Sequence, residues 1–335
     1  MTKRKYLLEF ANFVCRFGNE KVLLDLAEEI VIPAFTDSEL ERSYGSTKYF
    51  FHQVEILELQ TDGDVSIGIA GRFVKDTLIS REQIFDEDNE RLVRDPQQLQ
   101  TSPSSIFILI LNNHKLLYVH ETLYAPSIKS FESTIKTFIR RKHSEYINRL
   151  YEQRQSEEIT CSSLIEEYPD SELEIVPLAS EGSIGEFINQ FDILQKLEIN
   201  LLSTNSELDF SEFWDDARES GEGINSKKTK IEYRNDIEGL LKGAVSSQIV
   251  NTASNSKIKL KGKDPQGAIL TGSNDSFKIK LFLDDLPTSI NGIAKLSYQM
   301  FDDLKKHGTL KITDISQDAA RKVRSLSERL RQDND

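Results

Sequence analysis

Ile106-Phe107-Ile108-Leu109-Ile110-Leu111-Asn112-Asn113-His114-Lys115-Leu116-Leu117-Tyr118-Val119-His120 carries the clearest structural message in this 335-residue chain. Six consecutive apolar residues are too few for a membrane-spanning helix, which needs ~20, but suit a strand buried on both faces. Asn112-Asn113-His114 tolerates the positive φ of a tight turn, so the stretch predicts a β-hairpin at the centre of a sheet. Working outward, Lys5 to Val14 predicts a first strand. Tyr49 to Leu59 and Val65 to Val74 predict a second hairpin, turned at Thr61-Asp62-Gly63-Asp64. In its second arm Val65, Ile67 and Ile69 alternate with Ser66, Gly68 and Ala70. The small face so formed lets a helix or another backbone approach closely. Val22, Leu23, Leu26, Ala27 and Ile30 lie at helical spacing, with Pro33 expected to close the helix. The polar, acidic stretch from Thr77 to Pro103 reads as an excursion over the surface. Ser127 to Gln155 predicts the longest helix, with Phe131, Ile135, Phe138, Ile139, Tyr146, Ile147 and Leu150 as its inner stripe.

The second half repeats the mixture. Leu173 to Pro177 predicts a strand, and Ile184, Phe187, Ile188 and Phe191 mark a helix. Leu197, Ile199 and Leu201 alternate with polar residues as in a half-buried strand. Lys257 to Lys261, Ala268 to Thr271 and Phe277 to Leu283 predict a meander with turns at Asp264-Pro265-Gln266-Gly267 and Gly272-Ser273-Asn274-Asp275. The expected fold class is α+β with two lobes, each an antiparallel sheet flanked by helices. The first lobe is expected at 1–156, a linker at 157–171, the second lobe at 172–313, and an amphipathic helix and tail at 314–335.

Composition narrows the function classes. Hydrophobic residues at 38% and charged residues at 29%, with eighteen Phe and ten Tyr, provide for a sizeable folded core. Cys15 and Cys161 are too few for a disulfide framework or a four-cysteine zinc site and read as free thiols in a reducing compartment. With no secretory leader or membrane span in evidence, the expected location is the cytoplasm. The net charge of −13 argues against a general nucleic-acid binder, yet the charge is unevenly spread. Asn225 to Leu283 holds eleven Lys or Arg against five Asp or Glu, a balance of +6 that leaves −19 for the rest. A basic segment in an acidic protein is where a polyanion contact is expected, unless it docks on the protein's own acidic half.

The sharpest pattern within it is Lys257, Lys259, Lys261 and Lys263. Spaced by two, they project from one side of a strand while Ile258 and Leu260 face inward. Lys278 and Lys280 repeat the spacing, so six ammonium groups share a surface if the registers agree. Such a surface attracts phosphates irrespective of base sequence, although lysines also act as solubilising gatekeepers on exposed strands. No aromatic residue interleaves with them, which favours backbone contact over base stacking. Arg140 and Arg141 on the long helix are a second phosphate-binding candidate, with Glu145 and Glu152 nearby at salt-bridge spacing. Ile315, Ala319, Val323, Leu326 and Leu330 form a stripe expected to pack on one partner helix, in this chain or another copy. No metal is expected, because the five histidines and two cysteines form no ligand set. No cofactor is expected either: the chain has no phosphate loop and no nucleophile elbow. The one acidic residue two positions before a lysine, Asp303-Leu304-Lys305, falls in a predicted helix rather than on a nuclease-type strand.

The order of segments, with Gly71-Arg72-Phe73, the acidic excursion, the Phe107-to-His120 hairpin, Lys196-Leu197-Glu198-Ile199 and the lysine-bearing meander, resembles a bacterial family of unknown function. That family is carried on mobile and phage-defence-associated loci. The resemblance implies a bacterial cytosol, a role in defence against foreign nucleic acid and a partner protein encoded nearby. It brings no catalytic residues. The leading expectation is a non-catalytic nucleic-acid-binding module of a defence system. The alternatives are a protein-interaction subunit docking a partner or second copy through acidic surfaces and the C-terminal helix, and a nuclease with a dispersed site.

Overall fold

The computed structural model describes residues 4–18, 21–61, 64–154, 159–202, 212–224, 226, 228–253, 256–310, 312 and 317–332. In chain order the strands are β1 (Tyr6–Phe17), β2 (Lys21–Val22), β3 (Glu41–Tyr44), β4 (Thr47–Thr61), β5 (Asp64–Asp86), β6 (Arg91–Thr101), β7 (Ser104–Ile110), β8 (Lys115–Val119), β9 (Ser171–Pro177), β10 (Ile193–Leu201), β11 (Thr229–Arg234), β12 (Ser256–Lys263), β13 (Ile269–Ser273) and β14 (Lys280–Leu283). The α-helices are α1 (Ile32–Thr36), α2 (Ile128–Gln153), α3 (Cys161–Glu167), α4 (Glu181–Ile188), α5 (Glu212–Gly223), α6 (Lys242–Thr252), α7 (Ile290–Lys306) and α8 (Gln317–Gln332).

The opening hairpin is β7 and β8, buried at every residue, with His114 in the turn at φ 55°. A strand that is apolar on both faces needs cover on both sides, and it sits in the middle of a large antiparallel sheet ordered β14-β1-β8-β7-β5-β4-β3. On one face α1, α2 and the segment Leu23–Val31 enclose the main core, where Phe35, Phe51, Phe107 and Phe131 meet with ring centroids 5.1–6.2 Å apart. On the other, Leu8, Phe10, Leu117 and Val119 pack against α7, with Phe10 stacked on Phe301 at 6.2 Å. The small face of β5 receives this helix, and the Tyr298 hydroxyl lies 3.0 Å from Ser66 Oγ.

A second sheet, β11-β10-β12-β13, is covered on one face by α4, α6 and Trp214 of α5. Gly272 is required there, because a Cβ at that position would meet the Phe187 ring at 2.1 Å. Its other face carries the exposed Lys257, Lys259, Lys261 and Lys263 of β12. Both sheets are antiparallel and flanked by helices, so the fold is α+β.

Three expectations need correction. The expected boundary at 157–171 does not separate the sheets, since β9 and β14, both from the later part of the chain, hydrogen-bond to β1. The smaller lobe is an insertion, entered and left through two adjacent segments where Ala179 bridges Lys278 and Ile279 N donates to Leu178 O at 2.9 Å. Pro33 does not end a helix. It lies in the first turn of α1, where its missing N–H costs nothing. The excursion from Thr77 to Pro103 takes the form of a two-stranded ribbon, in which β5 continues to Asp86 and returns as β6. Finally, Ala319, Val323 and Leu326 are buried in this chain's own main core against the Leu23–Leu26 turn and are not a free face for a partner. Lys322 to Asp25 at 2.7 Å and Arg329 to Glu28 at 2.5 Å hold the helix there. Ile315 lies outside the described residues. No helix among the described residues is long and apolar enough to cross a membrane.

Candidate nucleic-acid interface

Along β12, Lys257, Lys259, Lys261 and Lys263 are exposed while Ser256, Ile258, Leu260 and Gly262 are buried. Neighbouring strands extend this outer face, because residues directly opposite in a ladder share a side. Lys196 of β10 lies between Lys261 and Arg234, Glu198 between Lys259 and Glu232, and Asn200 between Lys257 and Lys230. Seven cations thus face Glu198 and Glu232, with Asp236 beside Arg234 at 2.7 Å. Glu198 has Lys230 at 3.1 Å, Lys196 at 3.2 Å and Lys259 at 3.5 Å. The hydrogen bond from Lys230 leads in pulling its carboxyl down to about 2. Lys196, then Lys230, likewise hold Glu232 below the usual range.

The lysine face runs into a cleft between the lobes, with a volume of about 560 Å³. The ends of β1 and β9 supply Arg16, Glu172 and Glu174. Helix α2 supplies Lys136 and Arg140, one turn apart on a single helix face. The smaller lobe supplies Lys228, Lys257 and Lys259. Among the described residues six cations therefore line the cleft against two carboxylates, in a protein whose net charge is −13. No aromatic ring is among its described lining residues. Glu174 sits between the walls, ion-paired with Lys257 of the smaller lobe and 3.8 Å from Lys136 of α2.

The expected site residues divide. Arg140, Lys257 and Lys259, from segments far apart in sequence, come together in the cleft, while Lys261 and Lys263 continue along the face. The six lysines do not share one surface, because Lys280 lies on β14 in the other sheet, opposite Glu9 of β1. Lys278 is half-buried, donating to Glu9 at 2.6 Å and lying 3.4 Å from Asp275. Arg141 points away from the cleft toward Glu145 at 3.5 Å. Sequence reasoning missed Arg16, Lys136, Lys196, Lys228 and Lys230. Their convergence depends on β9 pairing with β1 and on β11 pairing with β10, which no local spacing reveals.

Among the described residues no group of three or more His, Cys, Asp or Glu is placed to hold a metal ion. What fold and site define together is a two-lobed α+β protein with a cationic interlobe cleft. Comparison of the chain with protein-family models and with curated proteins finds no match.

Proposed function

We propose that the protein binds nucleic acid through its phosphate backbone, in the interlobe cleft and along the adjoining lysine face. The observation that carries this reading is the convergence of Arg140 from α2 with Lys257 and Lys259 from β12 on one cleft whose described lining holds six cations and two carboxylates. Closely spaced cations on low-dielectric walls focus a positive potential even on an acidic protein. The described lining residues include no aromatic ring, which favours contact with phosphates over stacking with bases. The resemblance to a phage-defence-associated family supports foreign nucleic acid as the ligand and a bacterial defence system as the setting. The test is binding of fluorescent single- and double-stranded DNA and RNA across a salt series, with Lys259, Lys261 and Lys263 changed to Glu in a parallel variant. Contact with four to six phosphates gives a loss of roughly 10²–10³-fold between 50 and 200 mM salt. Absence of binding at low salt removes the proposal, and analysis of the products shows whether the bound strand is also cut.

A second reading, self-association, is favoured by the β5–β6 ribbon. Ile79 and Leu99 are cross-strand partners, as are Phe85 and Leu92, and all four are exposed. Beyond Asp76, β5 pairs with β6 alone, which leaves both outer edges of the ribbon open among the described residues. The acidic tip, Asp86 to Glu90, argues against nucleic acid as what covers it. A second copy fits better, because Arg91 and Arg94 alternate with Asp86, Glu90 and Asp95, so an antiparallel pair of ribbons is complementary in charge. The measurement is molar mass in solution for the wild-type chain and for Phe85→Ser/Leu92→Ser. A dimer that the variant reduces to a monomer supports this reading, and a monomer in both removes it.

A further inference from the structure

We propose that Glu174 stands in for the phosphate that the cleft binds: its carboxylate occupies the anion position between the walls, and a ligand phosphate enters by displacing it. The inference rests on the proposed function and specifies how that site is regulated. Glu174 projects from β9 on the cleft side, opposite Val14 of β1. It is met by Lys257 from the smaller lobe and by Lys136 from α2 at 3.8 Å. A carboxylate held by ammonium groups from two lobes occupies the place that two phosphate oxygens would take.

The surroundings make this occupant displaceable. Glu132, one turn before Lys136, is largely buried and lies 2.8 Å from the Lys136 ammonium. Burial, and then the facing Glu174 carboxylate, push the Glu132 carboxyl above its usual range against the pull of Lys136. Two carboxyls thus compete around Lys136, and like charges at close range disfavour each other. Departure of Glu174 toward solvent relieves that repulsion, frees Lys257 and leaves Lys136 paired with Glu132 alone. The groups facing Glu174 are Glu132 and Lys136 of α2, Lys257 of β12, and Arg16 and Glu172 one pleat along the β1–β9 ladder. Proton uptake by Glu132, whose carboxyl burial and the facing Glu174 raise, removes negative charge beside Lys136 and Glu174, so phosphate binding strengthens as pH falls.

The experiment uses the full chain and a fluorescent single-stranded oligonucleotide, prepared with and without a 5′-phosphate, with inorganic phosphate as competitor. Wild type, Glu174→Gln and Glu174→Ala are compared at pH 7.5 and 6.0. Glu90→Gln, which removes the same charge at the ribbon tip, sets the baseline. The expected result is three- to tenfold tighter binding for both Glu174 variants than for Glu90→Gln, with the pH dependence of the wild type flattened. A larger gain for the 5′-phosphorylated strand assigns the position to a terminal phosphate, and equal gains assign it to the internal backbone. Binding by the variants where the wild type binds nothing also supports the inference. Salt-sensitive wild-type binding that the Glu174 substitutions leave unchanged or weaken overturns the inference and leaves the proposed function standing. No binding by any of the proteins at low salt overturns both.

Discussion

Lys257 and Glu174 are separated by 83 positions in the sequence and meet as an ion pair across the interlobe cleft. One belongs to the inserted lobe and the other to a strand of the large sheet, so the pair ties the lobes together where the cationic lining is densest. Two further bridges also join the lobes: Lys129 to Asp275 at 2.9 Å and Lys278 to Glu9 at 2.6 Å. The electrostatics of ligand binding and of lobe docking therefore share residues, and substitutions can separate them.

Neighbouring arginines on α2 should behave differently. Arg140 lines the cleft, whereas Arg141 lies beside Glu145. Arg140→Glu should weaken oligonucleotide binding roughly tenfold at low salt. Arg141→Glu should change it by less than about twofold, because an exposed charge away from the ligand is largely screened. Fluorescence anisotropy on both variants decides this.

Lys278 should prove a stability residue. Glu9 is almost fully buried; burial pushes its carboxyl up, but hydrogen bonds from His120 and Lys278 outweigh that and hold it below its usual range. Lys278→Ala leaves a buried carboxylate with His120 as its remaining partner and should cost about 2–4 kcal/mol in urea unfolding. A group with a depressed folded pKa contributes stability that is present above its unfolded value. That contribution is lost as pH falls through the folded value. The wild type should therefore lose stability below about pH 4.5 more steeply than the variant.

Lys115 offers a test of opposite sign. It is buried beside Asn12, whose Oδ1 accepts from its ammonium at 2.8 Å, and burial lowers its pKa to about 8. Between about pH 8 and 10.5 the unfolded chain binds more protons than the folded one, so stability should rise with pH across that window. Lys115→Met should remove the rise and stabilise the protein by roughly 1–3 kcal/mol at pH 7. Thermal unfolding at pH 7 and pH 9.5 reads both effects.

The ribbon variant Phe85→Ser/Leu92→Ser touches side chains that are more than half exposed. It should leave the unfolding midpoint in urea nearly unchanged, within about 0.5 kcal/mol, since surface substitutions remove little packing. A large destabilisation would show that the ribbon is packed rather than free.

These residues also show what a sequence can and cannot convey. Ile258 and Leu260 alternate with lysines because one face of β12 is packed and the other is wet, and that period of two is visible in the chain. The hairpin at Ile106 was legible because a strand buried on both faces needs an unbroken apolar run. The same local pattern at Lys278 and Lys280 misled, because spacing does not reveal which sheet a strand joins. Here β14 pairs with β1, more than 270 residues away in register. The ribbon read only as a surface excursion, because neither face is buried and no alternation marks its strands. The cleft was legible only in halves: Arg140 and the lysines were visible separately, and the pairing of β9 with β1 that helps bring them together is long-range.

The most direct test of the account is the salt dependence of oligonucleotide affinity for the wild type and for Arg140→Glu/Lys259→Glu, which reverses one charge on each wall. The account predicts a slope of log affinity against log salt of about −3 to −5 for the wild type, shallower by about 2 in the double variant. Identical slopes and affinities for the two proteins would contradict it.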